Sequence, residues 1–374
     1  MEKNLVVIAT YKYSRAILLK GRLDAEGIEA YLANVNLVQS DISSGVKVLI
    51  KKDDIAAATR IIREIAEEYG EEDEPKKSSL IKFHRILVPV DFSEYSLNAC
   101  DYALSLAGKL NAEIRLFHSY YNPTSVASAF PDAFSYELGM GGIKSDIKEI
   151  AKEEMKSFKA KVESRAAEKG LKDVKVSAAL AEGIPGNEIP EAARKYKPQL
   201  IVIGTKGVGE KDADLVGHVT AELIDNTDYP VFAVPVAANF KEIENSQLLY
   251  VTDFDDPDFS SFRKLISIIA PFNMKIHCVH VGDEKLKPYD AVQMEVLEKK
   301  IKRNYVDFQV EFHLIEHKDI VKGIDKFVKE QQIDIMALSN RKHSFLYRLF
   351  NTSNARKILY HTRIPLLVFQ IKED

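Results

Sequence analysis

The chain has 374 residues, 46% of them apolar, and a formal charge of −4 at neutral pH. That length predicts two or three domains with real cores, and the near-balanced charge offers no global basic field to nucleic acid. The only cysteines, Cys100 and Cys278, stand in apolar surroundings, which argues against a disulfide framework and for a reducing compartment. No uncharged apolar run reaches bilayer-spanning length, and Met1–Asn4 lacks the basic start and apolar run of a secretion signal. The expectation is a cytoplasmic protein that meets neither membrane nor nucleic acid.

In chain order, Leu5–Ala9 reads as a strand and Ser14–Ala25 as an amphipathic helix closing near Gly27. Ile28–Ala33 and Val46–Ile50 read as two further strands. Asp54–Tyr69 reads as a helix, with Ile55, Ala58, Ile61, Ile62 and Ile65 at helical spacing. These elements bound a small α/β domain over residues 1–72. Its segments LLKGRLDAEGIEAYLANVNL and GVKVLIKKDD resemble a small family of prokaryotic signal-transducing domains, a likeness that implies no ligand or reaction. A polar, Pro75-containing stretch ends this domain and serves as a linker over 73–82.

From Phe83 onward strands and helices alternate, with strands at Ile86–Val90, Glu113–His118, Val174–Ala179, Leu200–Gly204 and Val231–Val234. Such alternation predicts a parallel sheet covered on both faces. The polar stretch 238–246 is a second linker. Beyond it the order repeats, with strands at Leu248–Thr252, Lys275–Val281, Asp307–Ile315, Ile333–Leu338 and Leu366–Phe369. The domains are thus 83–237 and 247–372, and the fold class is α/β with two tandem Rossmann-like five-stranded parallel sheets.

Internal spacing supports a duplication. Asp91 and Asp253 are as far apart as His118 and His280. Ile189 and Ile324, Gly204 and Ser339, and Pro230 and Pro365 share a second, shorter separation. The first copy therefore carries 27 extra residues in its middle. The Pro-, Ser- and Gly-containing stretch Tyr121–Gly142 is the natural place for them and reads as a long loop: a lid, a partner contact or plain disorder.

The motif that carries chemistry is Gly204-x-x-Gly207-(nine residues)-Gly217, entered from the apolar run Ile201–Ile203. Glycines permit positive φ and close backbone approach to a ligand, and a helix starting near Gly217 would present free N–H groups to an anion. Ligands of open parallel sheets sit beyond the carboxyl ends of the strands, where strand order reverses. If the first strand neighbours the fourth, the loops Val90-Asp91-Phe92-Ser93 and Gly204–Gly217 flank that crevice. Asp91 would then accept from a ribose hydroxyl, Ser119 would offer a polar edge to a base, and the glycine loop would take phosphates.

The segments ILVPVDFSEYSLNA, IRLFHS, EGIPGNEI, LIVIGTKG and GHVTAELI…YPVFAVP closely resemble a universal stress protein domain of the nucleotide-binding kind over residues 83–236. The resemblance implies strand order 3-2-1-4-5 and an ATP site, with or without Mg²⁺, lined by Pro89, Val90, Asp91, Ser119, Gly204, Gly207, Gly217, Val219 and Thr220. His218 departs from the family signature, which ends in Ser or Thr; its imidazole either accommodates phosphate or fills the pocket. The second copy resembles the family more weakly, since Ser339, Lys342 and Thr352 replace the glycines although Asp253 and the hydroxyl of Ser353 are kept. It is read as the structural half of an intramolecular pseudo-dimer paired through Val231–Val234 and Leu366–Phe369, with a further homodimer open. The expected role is regulatory, with an unidentified protein partner and at most slow ATP hydrolysis, since no general base stands out. The alternative is an interaction scaffold that holds no nucleotide.

The run His313-x-x-Glu316-His317 matches a zinc-peptidase pattern. Alternation of Phe308, Val310, Phe312 and Leu314 with polar residues makes it a strand, with His313 pointing away from the core face, so no metal is assigned. His118 and His280 read as structural, and Lys299–Arg303 as a solvated helix face.

Overall fold

The computed structural model describes residues 5–11, 13–33, 46–51, 54–69, 81–121, 134–205, 218–235, 238, 243–252, 254, 260–282, 288–340 and 364–370. The N-terminal unit comprises β1 (Leu5–Tyr11), α1 (Tyr13–Ala25), β2 (Ala30–Ala33), β3 (Val46–Lys51) and α2 (Ile55–Tyr69). Its three strands form an antiparallel sheet in the order β1-β3-β2. Leu19 and Leu23 of α1 meet Ile61 and Ile65 of α2 in a closed apolar core with Val48 and Ile50. The β1–β3 register slips between Val7 and Ala9, which leaves Ile8 as a bulge. The Ile8 carbonyl accepts a hydrogen bond from Gln293 Nε2 at 3.2 Å.

The first large module runs β4 (Arg85–Pro89), α3 (Glu94–Leu110), β5 (Glu113–Tyr120), α4 (Phe134–Glu168), β6 (Val176–Glu182), α5 (Pro185–Tyr196), β7 (Leu200–Gly204), α6 (His218–Asn226) and β8 (Val231–Val234). The second runs β9 (Gln247–Val251), α7 (Ser260–Ile269), a 3₁₀ turn at Ala270–Phe272, β10 (Lys275–Gly282), α8 (Pro288–Asn304), β11 (Gln309–Glu316), α9 (Ile320–Glu330), β12 (Ile335–Asn340) and β13 (Leu366–Gln370). The partner of Ile8, Gln293, lies on α8, against which α2 packs, so among the described residues the N-terminal unit packs on the second module.

One ten-stranded sheet contains both modules in the order β11-β10-β9-β12-β13-β8-β7-β4-β5-β6. Each half has the order 3-2-1-4-5 and parallel pairing. The halves meet where β13 pairs antiparallel with β8, Leu366 opposite Ala233, Leu367 opposite Phe232 and Val368 opposite Val231. Successive side chains point to opposite faces, and both faces are buried. Phe232, Leu367 and Phe369 join the layer under α3, α4, α7 and α8. Val231, Leu366 and Val368 join the layer under α5, α6 and α9. Apolar packing is thus continuous across the junction.

Two expectations need correction. The stretch expected as a long loop over 121–142 becomes helical at Phe134, so part of the extra length of the first module is the 35-residue α4. Three glycines between 139 and 142 cost about 1 kcal/mol each in a helix. The later turns anchor it, because Ala151, Met155, Phe158, Val162 and Ala166 fall on one helical face and are buried. Residues 122–133 lie outside the described residues. His313 does not point away from the core: because both faces are covered, its ring packs 5.0 Å from that of Phe327 on α9.

Candidate functional site

The crevice between β4 and β7 opens early. These neighbours pair only at Ile86–Leu200 and Leu87–Ile201. The equivalent pair in the second module, β9 and β12, stays zipped over four positions, from Leu248–Ile335 to Val251–Leu338. Pro89 supplies the reason. It has no N–H to give the ladder, and Val251 stands in its place in β9. Beyond residue 87 the carboxyl ends of β4 and β7 are therefore free of each other's main chain.

At the mouth of this opening the chain turns through Asp91. Its Oδ1 accepts from Ser93 N at 3.2 Å and from Ser93 Oγ at 2.6 Å, and Ser96 Oγ donates to it as well. Ser96 Oγ in turn accepts from Asp91 N at 3.0 Å. Ser93 is the N-cap of α3, its hydroxyl accepting from Ser96 N, the bond that satisfies one of the orphan donors of a first helical turn. Asp91 is thus held by a short closed circuit, half-buried at the strand end.

Phe92 within this turn has φ 66°, a left-handed conformation that a bulky side chain adopts only when the surroundings enforce it. The ring of His118, at the end of β5, lies 4.2 Å from the Phe92 ring, and Phe158 of α4 is 5.7 Å away. His118 Nδ1 lies 2.7 Å from the Val90 carbonyl and donates to it, so His118 fastens the turn to the sheet. The second module repeats the device: Phe254 has φ 63°, its ring stacks 4.4 Å from that of His280, and His280 Nδ1 lies 2.9 Å from the Thr252 carbonyl. The structural reading of both histidines fits these bonds. Ser119 follows His118, is half-buried, and pairs with Ala181 across β5–β6.

On the opposite wall β7 ends at Gly204. Thr220, in the first turn of α6, is buried and donates through Oγ1 to the Gly204 carbonyl at 2.9 Å. Its hydroxyl proton is thereby committed to the strand end. Thr205 N donates to Val234 at 2.9 Å, whereas the Thr205 hydroxyl is buried without a hydrogen-bond partner among the described residues. A buried hydroxyl left unbonded is costly, and this one stands where the glycine loop departs. His218 is the first residue of α6 and Val219 is half-buried. Gly207 and Gly217 lie outside the described residues, as do Asp253, Lys342, Thr352 and Ser353 of the second module.

The geometry therefore brings Pro89, Val90 and Asp91 on one wall toward Gly204 and Thr220 on the other, with Ser119 on the adjoining strand. Sequence reasoning passed over Ser96 and Thr205 and gave Phe92, named within the crevice loop, no role of its own. The Asp-Phe dipeptide recurring at 91–92 and 253–254 was the available signal for Phe92. Ser96 and Thr205 had none, because their importance lies in which atoms they face. Among the described residues no helix is long and apolar enough to cross a membrane.

Universal stress protein MJ0531 of Methanocaldococcus jannaschii is 35% identical over 152 residues, spanning 41% of this chain and 82% of its own length. Universal stress protein Slr1230 of Synechocystis sp. is 23% identical over 302 residues, spanning 76% of this chain and 99% of its own. Among solved structures, a universal stress protein from Archaeoglobus fulgidus superposes with a TM-score of 0.59 at 18% identity, over 78% of this chain and 97% of that one. The model of the universal stress protein family matches residues 82–235 and 244–370. That is well over half of the sequence, and the chain belongs to the universal stress protein family.

Proposed function

We propose that the first module binds ATP in the crevice between β4 and β7, and that the protein serves as a regulatory, stress-responsive binder rather than an enzyme. The observation that carries this reading is the early opening of the β4–β7 ladder at Pro89, set against the closed ladder of the second module. The adenine ring is assigned to the strand ends at Val90 and Ser119. The ribose is assigned to Asp91, and the phosphates to Gly204, Gly207, Gly217, His218, Val219 and Thr220. The unpartnered Thr205 hydroxyl adds a donor on that wall. Mg²⁺ would accompany the phosphates.

The reading assigns one site per chain. Calorimetric titration of the full chain with ATP is expected to give a stoichiometry of one, abolished by Gly207→Val. Two equivalent sites, or none, would refute it. The scaffold reading draws on His218 in the place of the family's hydroxyl residue and on the commitment of the Thr220 proton to Gly204; it predicts no ATP binding and no effect of Gly207→Val. The N-terminal unit, fastened to α8 through Gln293, is the natural output surface of such a regulator.

A further inference from the structure

Toward the β11 edge of the sheet, on the face covered by α9, β10 and β11 run parallel with His277 opposite Glu311 and Val279 opposite His313. Residues 311 and 313 point to one face of the sheet, the same face from which His277 projects, and the Phe327 ring of α9 contacts both imidazoles. Three donor atoms converge there. His277 Nδ1 is 3.2 Å from His313 Nε2. Glu311 Oε2 is 3.5 Å from the first and 3.8 Å from the second.

A hydrogen bond between the imidazoles explains only the first of these distances, since the two to Glu311 exceed hydrogen-bond length. A shared ion would draw all three donors together. Nitrogen and oxygen donors held about 2.0–2.2 Å from a tetrahedral metal stand roughly 3.3–3.5 Å from one another. The surroundings also suit a ligand set. His277 is buried, and its Nε2 lies 2.8 Å from Gln247 Oε1. An amide oxygen only accepts, so Nε2 carries the proton and the Nδ1 lone pair faces the cluster, which is the orienting contact typical of a metal-bound histidine. Lys275 Nζ takes Glu311 Oε1 at 2.8 Å, leaving Oε2 toward the imidazoles. Burial holds both histidines below the ordinary range, and the Lys275 hydrogen bond does the same for the Glu311 carboxyl. Glu311 is half exposed and His313 about a quarter, so an ion can enter from solvent and keep a water.

The first module provides an internal comparison. In its β5–β6 ladder Arg115 faces Ser177 as His277 faces Glu311, and Ala179 stands where His313 does. Arg115 lies over the Tyr196 ring instead. The donor set thus belongs to the second module alone, the one whose crevice is closed.

We propose that His277, Glu311 and His313 form a binding site for a divalent late first-row transition cation, zinc foremost, with Gln247 as the positioning residue. The inference is independent of nucleotide binding by the first module. The full chain, stripped with a chelator, would be titrated with Zn²⁺ in competition with a chromogenic chelator, and with Co²⁺ monitored by visible absorption. One equivalent of Zn²⁺ per chain is expected, with Co²⁺ bands of a four-coordinate site. Glu311→Gln and His313→Gln, both at partly exposed positions, should lose stoichiometric binding while keeping wild-type circular dichroism. Gln247→Leu should weaken binding by about 10–100-fold. Absence of a bound equivalent, or binding unchanged in both Glu311→Gln and His313→Gln, would overturn the proposal and leave a hydrogen-bonded histidine pair.

Discussion

Asp101 on α3 is buried and forms its ion pair with Arg165 of α4, whose guanidinium also approaches Glu94 at 3.9 Å. Among the described residues the other carboxylate oxygen has no hydrogen bond, and the Lys169 ammonium stands 3.7 Å away. Substituting Arg165 by Met keeps most of the apolar stem of the side chain but removes the guanidinium and strands the carboxylate. Breaking a buried pair costs about 3–5 kcal/mol. Arg165 is itself a third exposed and Lys169 remains nearby, so a cost below that range, roughly 2–3 kcal/mol, is expected. The loss should appear as an earlier urea transition, accompanied by faster amide exchange in α3 and α4. N-terminal-unit amides should be unaffected, because that unit packs on α8. Adding Asp101→Leu should recover most of the stability, since an apolar replacement of both partners removes the desolvated charge. The reasoning is refuted if Arg165→Met shifts stability by less than about 0.5 kcal/mol, or if the double variant is no better than the single.

Burial raises the pKa of both Cys100 and Cys278, and only the thiolate reacts. At pH 8 neither should take up a thiol reagent until the chain is unfolded; stoichiometric labelling of native protein would contradict this. Gly183 has φ +151°, and a Cβ there would stand 2.7 Å from Glu188 Cγ. Gly183→Ala should accordingly cost about 1–3 kcal/mol, measured by thermal melting, and a neutral result would mean the turn relaxes freely. Phe92→Gly removes about 1–2 kcal/mol of left-handed strain but also the His118 stack and the burial against Phe158. A net loss of about 1 kcal/mol is expected, and a more stable variant would show that the strain dominates. Gln293→Leu should lower protection of β1 amides in hydrogen exchange by about 1 kcal/mol, while β4 amides stay as they were; equal protection would mean that the bond to Ile8 is immaterial.

The alternation of apolar strands with helices made both large modules legible, because a parallel sheet buried on two faces leaves uninterrupted runs such as Leu200–Gly204 and Leu366–Gln370. The strand order and the β8–β13 junction came from resemblance rather than from pattern, since no periodicity states which strands are neighbours. Composition misled at 134–142, where glycines read as a loop but the chain continues into a helix anchored farther on at Ala151 and Met155. The strand order places Pro89, Val90 and Asp91 across from Gly204, while Gly207 and Gly217 lie outside the described residues. The opening of the crevice was not foreseen, because the effect of Pro89 depends on which strand its missing N–H would have faced. The histidine–carboxylate cluster was invisible for a related reason. His277 and Glu311 lie more than thirty positions apart, and only the parallel register of β10 with β11 makes them neighbours.

The antiparallel seam between β8 and β13 is made of main-chain bonds over three residue pairs, between partners supplied by one polypeptide. Tethering replaces an encounter of two molecules by closure of a short connection, at an effective concentration on the order of millimolar. Dilution in the cell or in the test tube then has no purchase on this contact. Assembly of the two halves therefore cannot itself vary, and only a change of shape or of outside contacts could alter what this pairing presents. Backbone bonding is also indifferent to what each half carries elsewhere, so one crevice could close and another set of donors gather without loosening the seam.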